Sequence, residues 1–277
     1  MPDFFDVHVH SAPSGRPRSA DDLTAARNLA AAGYAGGVLK EHCELTVGRA
    51  VAASAATGLS IYGGVVLNAP VGGINPYAVE SCLHLGGRVV WMPTVDAHAQ
   101  RSSGWEHPVV CTPTSPEAAY ALPPVEGALE KHARRILDLV AAADAVIATG
   151  HIGAEEVGWL VTAAREHGVR RVLLTHPGLI VPGLSASRTR ELTELGAYAE
   201  ITSLQYTSGG HSAEELAAFI TEVGPQRCVL SSDAGAAGAP GHVEGLAALM
   251  EALTAAGLDP GAVQAMAGEN PYALVAP

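Results

Sequence analysis

The amino-acid sequence predicts an α/β fold, a closed (β/α)8 TIM barrel in which residues 1–277 form a single domain. Three observations predict it. Strand-like and helix-like segments alternate eight times, with strand starts recurring roughly every 25 to 35 residues, a spacing natural for βα units. The length suits one large domain, since a single barrel of this kind commonly needs about 250 residues. Several strand-like runs close on a histidine, lysine or aspartate, as buried parallel strands with an outward functional end would. No G-x-G-x-x-G follows the first strand, so an open dinucleotide-binding sheet loses support.

The elements follow in order. Strand one covers residues 4–10, FFDVHVH. Ser19-Ala20-Asp21-Asp22 starts the first helix with an N-cap and acidic first turn, and Gly33 stops it. Strand two is 37–40, and a helix over 47–57 ends at Gly58. Strand three covers 61–67 and ends at Asn68; Asn75-Pro76 then opens a helix over 76–85. Strand four is 88–92, and a long helix covers 125–143. Strand five, 145–150, runs into His151, and the helix from 154 ends at Gly168. Strand six, 171–175, runs into His176, and a helix over 189–195 ends at Gly196. Strand seven is 197–202, after which Ser212 and Glu215 form a capping box. Strand eight, 228–232, runs into Asp233; a helix over 243–256 and a short one near Val263 close the chain. One interval is about twice the usual length. It holds residues 100–124, rich in Pro, Ser and Thr, and it follows a strand. That makes it a lid or substrate loop on the catalytic rim, or else a surface insertion without order.

Composition removes several function classes. The chain carries 28 acidic against 16 basic residues, a net charge of −12, and its Lys and Arg form no run. That argues against nucleic acid and anionic membrane surfaces as partners. No apolar stretch is long enough to span a bilayer, and the first strand begins without the charged and apolar regions of a signal peptide. The four cysteines, Cys43, Cys82, Cys111 and Cys228, are scattered and make no C-x-x-C pair. In a chain of this size they predict no disulfide framework and fit a reducing cytoplasm. The hydrophobic share of 48% is ample for one sizeable core. Barrels of this type often associate, so a homo-oligomer is compatible, though no particular surface points to one.

His8 and His10 lie two apart on strand one, so their imidazoles share a face and can bind one ion. Two histidines hydrogen-bonded on a barrel rim are the structural alternative. The later strand ends His151, His176 and Asp233, with Lys40-Glu41-His42 on strand two, favour metal. Imidazoles and carboxylates suit one or two divalent ions, zinc first, with Mn, Fe or Ni compatible. Asp6 shares the face of His8 and orients it, or makes a buried structural bond. Arg16 and Arg18 follow strand one and could hold a substrate carboxylate. Asn68, His98, Asp96 and Glu200 could reach a substrate, with packing and surface roles as the alternatives. Tyr206 and His211 could line the pocket, while His84, His132 and His167 fall on outer helices. Cys43 adjoins His42 but points to the opposite face, which disfavours a catalytic thiol.

The order His-x-His on strand one, His on five, His on six and Asp on eight resembles the amidohydrolase superfamily of metal-dependent barrel hydrolases, over nearly the whole chain. Gly268-Glu269-Asn270-Pro271 is similar to the G-x-N-P stretch that often follows strand eight there. Val38-Leu39-Lys40-Glu41-His42, the Gly72-Gly73-Ile74-Asn75-Pro76 loop and Trp91-Met92-Pro93-Thr94 resemble an uncharacterised branch, which offers no substrate. The resemblance implies His8, His10 and Asp233 as ligands of one metal, with His151 and His176 holding a second or orienting around the first. Many binuclear members bridge their metals with a carboxylated lysine or a glutamate from strand four. This strand four has neither near its end, and Lys40 on strand two is the nearest substitute. Lys40 is then a carbamate ligand, a substrate-charge partner or a structural ion pair, because a plain ammonium has no lone pair. His42 is an alternative ligand. The implied activity is hydrolysis of an amide, lactam, imide or ester-like bond in a small molecule. Asp233 would take and return the proton of a metal-activated water, and the metal or a histidine such as His176 would polarise the carbonyl. A phosphoesterase, a lyase such as a decarboxylase, and a non-catalytic binding protein are the alternatives. Asp233-Ala234-Gly235 lacks the late Asp-x-His of the phosphoesterases.

Overall fold

The computed structural model describes residues 4–105, 107–109, 111 and 118–277. The predicted barrel is present. β1 (Phe5–Val9), β2 (Gly36–Leu39) and β3 (Ser60–Tyr62) pair in parallel in that order. β4 (Gly64–Val66), β5 (Val89–Trp91), β6 (Val146–Ala148), β7 (Arg171–Leu174), β8 (Tyr198–Thr202) and β9 (Cys228–Ser231) form a second parallel run in sequence order. β3 and β4 are halves of the predicted third strand, broken at Gly63. A Cβ on Gly63 would lie 2.7 Å from Val47 Cα, so the chain passes the start of the preceding helix, Val47–Thr57, too closely for a side chain. The ring closes between the first and last strands: Val9 bridges Ala234, Asp233 N donates to His8 O at 3.0 Å, and His10 N donates to Ala234 O at 3.3 Å.

The helices wrap the outside. They are α1 (Asp22–Ala31), α2 (Val47–Thr57), α3 (Pro76–His84), α4 (His98–Ser102), α5 (Glu130–Ala142), α6 (Ala154–Glu166), α7 (Ala186–Glu194), α8 (Ser203–Thr207), α9 (Ala213–Val223), α10 (His242–Ala255), α11 (Pro260–Ala267) and α12 (Glu269–Val275). Side-chain caps set several starts: Asp21 accepts from Thr24 N, Asn75 from Tyr77 N and Ser212 from Glu215 N. α5 begins five residues later than the periodicity predicts, because Val125 N and Glu126 N turn back on Leu122 O ahead of Gly127. α7 begins three residues earlier, capped by Ser185. α4, α8 and α12 are too short for a period of 3.6 to declare itself in sequence. Among the described residues no helix is long and apolar enough to cross a membrane.

Strand alternation sorts the core. Inward positions such as Val38, Val66, Trp91, Val146, Leu173 and Val229 form one buried cluster, with Leu274 and Val275 of α12 packed into it. α12 thus plugs the floor of the barrel. Arg88 Nε and Arg171 Nη1 donate to Val275 O and Ala276 O at 2.9 and 2.8 Å, holding that end down. Outward positions, such as Leu39, Leu230 and Ile201, pack under the helices. β1 breaks the rule. Phe5 and Val7 belong to the interior cluster but Val9 to the outer one, and the register with β2 shifts between Asp6 and Val9. This bulge resets the alternation, as bulges do beside active sites. His8 therefore faces the interior while Asp6 does not, which corrects the expectation that the two share a face.

The cysteine expectation is also corrected. Cys43 and Cys111 are joined by a disulfide across 68 residues of sequence, while Cys82 and Cys228 are free and buried. Linear spacing gave no hint, because the bond exists only where the long insertion folds back over the end of β2. The inference of a reducing compartment from scattered cysteines loses its basis.

Gly64→Ala tests how tightly the strands are drawn. A Cβ there would meet Val89 O at 2.0 Å. The variant is expected to lose about 1–3 kcal/mol in urea unfolding. An unchanged midpoint would mean β4 and β5 lie further apart than described.

Candidate metal centre

The C-terminal rim gathers residues from five of the nine strands. His8 and His10 come from the end of β1, Lys40 and His42 from β2, His151 from β6, His176 from β7 and Asp233 from β9. Asp233 Oδ1 lies 3.1 Å from His8 Nε2 and 3.2 Å from His10 Nε2. The ligand atoms of these three all fall within 4.8 Å of one another. His42 stacks on His10 at 5.0 Å between ring centroids, and His151 and His176 meet edge to face at 5.0 Å. The strand-end residues singled out in sequence are thus brought together.

Four of the rings are held from behind. His8 Nδ1 donates to Glu200 Oε1 at 3.0 Å, and Ser231 Oγ donates to the same oxygen at 2.8 Å. His10 Nδ1 donates to Lys40 O at 2.8 Å. His151 Nδ1 donates to Gln100 Oε1 at 2.9 Å. In the neutral tautomer these bonds put the proton on Nδ1 and leave the Nε2 lone pair facing the site, where that of His8 accepts from Lys40 Nζ at 3.0 Å. His42 Nδ1 bonds Thr94 Oγ1 at 2.8 Å. His176 Nδ1 is buried without a partner among the described residues.

This donor set fits a cation. The Nε2 lone pairs of His8 and His10 converge with a carboxylate oxygen, and three electron-rich atoms at such distances repel unless a proton or a metal ion lies among them. Burial, seconded by Arg18, holds the His10 imidazolium pKa well below its usual value, and burial does the same for His42 and His151. Burial takes His176 down to about 4, against the pull of Asp233. Burial pushes the Asp233 carboxyl up, but His8 and His10 outweigh it and leave the group well below the carboxylate range. Neutral imidazoles and an ionised carboxylate are the states that bind metal.

The backbone is bent to make this geometry. Asp233 and His176 both sit at positive φ, +49° and +28°. Such conformations are sparsely populated for non-glycine residues and collect at functional sites. Gly235, two residues past Asp233, has φ +112°, and a Cβ on it would strike His10 O at 2.0 Å.

Lys40 is buried beneath the histidines. Its Nζ lies 3.0 Å from His8 Nε2 and 5.5 Å from the centre of the Trp91 ring. Burial lowers its pKa, with Asp233 and Glu200 opposing. Among the described residues it forms no ion pair, so the structural ion pair considered from sequence is not what holds it.

Other candidates fall into two groups. Arg16 and Arg18 line the cavity above the histidines, which has a volume of about 250 Å³. Asn68 and His98 do not line it. His98 is exposed at the start of α4. Asn68 is fully spent: Nδ2 donates to His42 O and Thr94 Oγ1 at 2.9 and 2.8 Å, and Oδ1 accepts from Thr94 N and Asp96 N at 2.8 and 3.3 Å. It ties the ends of three strands and, through Thr94, steadies His42. Asp6 fixes backbone rather than a ring, its Oδ1 accepting from His8 N and Ser232 N at 3.0 Å. Asp96 accepts from Ala69 N at 2.8 Å and pairs with Arg101.

Sequence reasoning missed Gln100 and His107, and it offered Glu200 as a substrate contact rather than as the group behind His8. Glu200 orients His8, and Gln100 orients His151. His107, from the insertion, packs edge to face on His42 at 5.0 Å and lies 5.4 Å from His151. Trp105 and Val109 join it as the outer wall of the cavity, so the described part of the 100–124 loop covers the site. Residues 106, 110 and 112–117 of that loop lie outside the described residues. Val109 N donates to His107 Nδ1 at 3.2 Å, so the neutral ring carries its proton on Nε2, opposite to His8, His10 and His151.

Asn68→Ala would leave Thr94 N, Asp96 N and His42 O unpaired in the interior. It is expected to cost about 2–4 kcal/mol in urea unfolding. A variant of full stability that loses activity would instead return Asn68 to a substrate role.

Comparison with known proteins agrees with this fold. The chain is similar to organophosphorus hydrolase from Deinococcus radiodurans, at 15% identity and TM-score 0.63, over 98% of this chain and 91% of that one. It is similar to 2,6-dihydroxybenzoate decarboxylase from Rhizobium, at 13% identity and TM-score 0.58, over 99% and 98%. It is also similar to an amidohydrolase from Pseudomonas aeruginosa, at 12% identity and TM-score 0.58, over 98% and 94%. No curated protein matches the sequence. The likeness to these structures is one of fold, and the chain belongs to the family of unknown function DUF6282, whose model matches residues 3–200.

Proposed function

We propose that this protein is a metal-dependent hydrolase of a small molecule, cleaving an amide, lactam, imide or ester-like bond. The observation that carries the reading is the convergence of His8 Nε2, His10 Nε2 and Asp233 Oδ1 at the catalytic rim, with both rings locked in the ligating tautomer. A divalent ion held there, zinc first, would supply Lewis acidity, making a water nucleophilic near neutral pH and polarising a carbonyl. Asp233, 11% exposed, turns Oδ1 to the two imidazoles and keeps Oδ2 for the proton of the attacking water. It would return that proton to the leaving group. His151 presents a bare Nε2 and His176 an unpartnered Nδ1, either to a second ion or to the substrate. As an ammonium Lys40 has no lone pair for a metal and would donate a hydrogen bond to substrate; as a carbamate it would ligate. Trp105, His107 and Val109 close the outer side against water.

A lyase reading, decarboxylation on the same rim, also has support: the described residues contain a single compact three-ligand group, and one structural neighbour is a decarboxylase.

Elemental analysis of protein purified without chelator tests the reading. About one or two ions per chain are expected, and none in the His8→Ala, His10→Ala double variant, which should keep its circular dichroism. Two ions would require Lys40 to bridge as a carbamate; one would leave it to the substrate. A panel of amides, lactams, imides, esters and aromatic acids then separates hydrolysis from carbon dioxide release. A wild type that stays metal-free after reconstitution at pH 8 would overturn the proposal.

A further inference from the structure

Arg18 is buried in a way its neighbours do not explain. Its side chain is 3% exposed, yet it lines the cavity. Nε donates to Ser14 Oγ at 2.8 Å, but Nη2 has no hydrogen-bond partner among the described residues. The nearest carboxylate oxygen, Glu41 Oε2, stands 3.9 Å away, too far for a hydrogen bond, and both Glu41 oxygens are also without partners. A buried guanidinium with unspent N–H groups is costly, and such groups call for an explanation. The residue is rigidly placed: Arg18 bridges Ala236 in antiparallel fashion, and Ser19 N donates to Gly235 O at 2.9 Å. The guanidinium is thereby fixed relative to Asp233, two and three residues away from those contacts.

The surroundings narrow the ligand. The chain has only 16 Lys and Arg in an acidic total, yet Arg16, Arg18 and Lys40 all face this cavity. Arg16, Arg18 and Lys40 as cations stand against the two carboxylates of Glu41 and Asp233, which leaves one positive charge to be met. The remaining walls are largely apolar, from Trp105, Val109, Leu179, Ile180 and Leu204.

We infer that the cavity takes a small molecule bearing a single carboxylate, gripped by Arg18 and Arg16, with its apolar body between Trp105 and the Leu179–Ile180 wall. The guanidinium fork matches the two carboxylate oxygens, whereas a phosphate dianion would leave excess negative charge beside Glu41 and Asp233. The inference rests on the metal reading only for where the reacting bond lies; the carboxylate grip stands on the arginines alone.

Calorimetric titration with benzoate, benzamide and inorganic phosphate tests it. The proteins are wild type, Arg18→Met, Arg18→Lys and Arg16→Met, each zinc-loaded with its zinc content measured, and the metal-free His8→Ala, His10→Ala variant. Benzoate is expected to bind wild type at least about tenfold tighter than benzamide or phosphate. Arg18→Met should weaken benzoate by about tenfold to a hundredfold at unchanged zinc content, with Arg18→Lys between. The metal-free variant should still prefer benzoate to benzamide. If Arg18→Met does not fold, Arg16→Met and Arg18→Lys carry the comparison, each losing part of the preference. Equal binding of benzoate and benzamide, benzoate affinity insensitive to both arginines, or a preference that vanishes with the metal ligands would each overturn it. A protein that binds no zinc but keeps an arginine-dependent preference for benzoate would sink the hydrolase reading and leave this one standing.

Discussion

Two backbone hydrogen bonds, from Asp233 N to His8 O and from His10 N to Ala234 O, stitch the last strand to the first. Everything at the rim depends on that seam. It brings Asp233 against two histidines more than two hundred residues earlier in the chain. Beside it Asp233 sits at positive φ and Gly235 passes close over His10 O, local strain of the kind that collects at functional sites. The bulge on β1 completes the arrangement by turning His8 inward one residue after Val7.

The site is a buried polar network in which four of the imidazoles have a backing group. Glu200, the carbonyl of Lys40, Thr94 and Gln100 hold His8, His10, His42 and His151. Such networks fix geometry only when their members are satisfied. Among the described residues six buried side-chain atoms have no hydrogen-bond partner: His176 Nδ1, Arg18 Nη2 and both Glu41 oxygens around the cavity, and Asp6 Oδ2 and Glu200 Oε2 behind it. His176 and Arg18 carry part of that unmet capacity to the cavity, while Asn68, equally buried, spends all of its own on the backbone and Thr94.

What could be read in sequence was what strand geometry dictates locally. A period of two puts alternate residues on one face, and parallel strands end at the catalytic rim, so His8, His10, Lys40, His151, His176 and Asp233 announced themselves by position. The same rule misplaced Asp6, because a bulge is one residue of irregularity that no pattern in FFDVHV reveals. Glu200 lay in a strand and was noticed, but its bond to His8 crosses 192 residues of sequence. Gln100 and His107 come from a segment without periodicity, and their roles exist only because that segment folds back across the barrel mouth. α12 went unseen because its plugging role depends on the floor it fills, on Phe5 and Val229, rather than on its own seven residues.

The Cys43–Cys111 bond makes a closed covalent circuit of the chain between those residues. Asn68, Thr94, Gln100 and His107 all lie on that circuit, whereas His8, His10, Glu200 and Asp233 lie off it. In topological terms the rim has two halves. One is tied only by the seam of the barrel; the other, with the groups that steady His42 and His151, is also fastened to itself. Opening the circuit leaves the three converging ligands under their own backbone control and returns the outer wall to the freedom of an ordinary long loop. The chemistry of the centre and the access to it are thus governed by separate constraints in one chain.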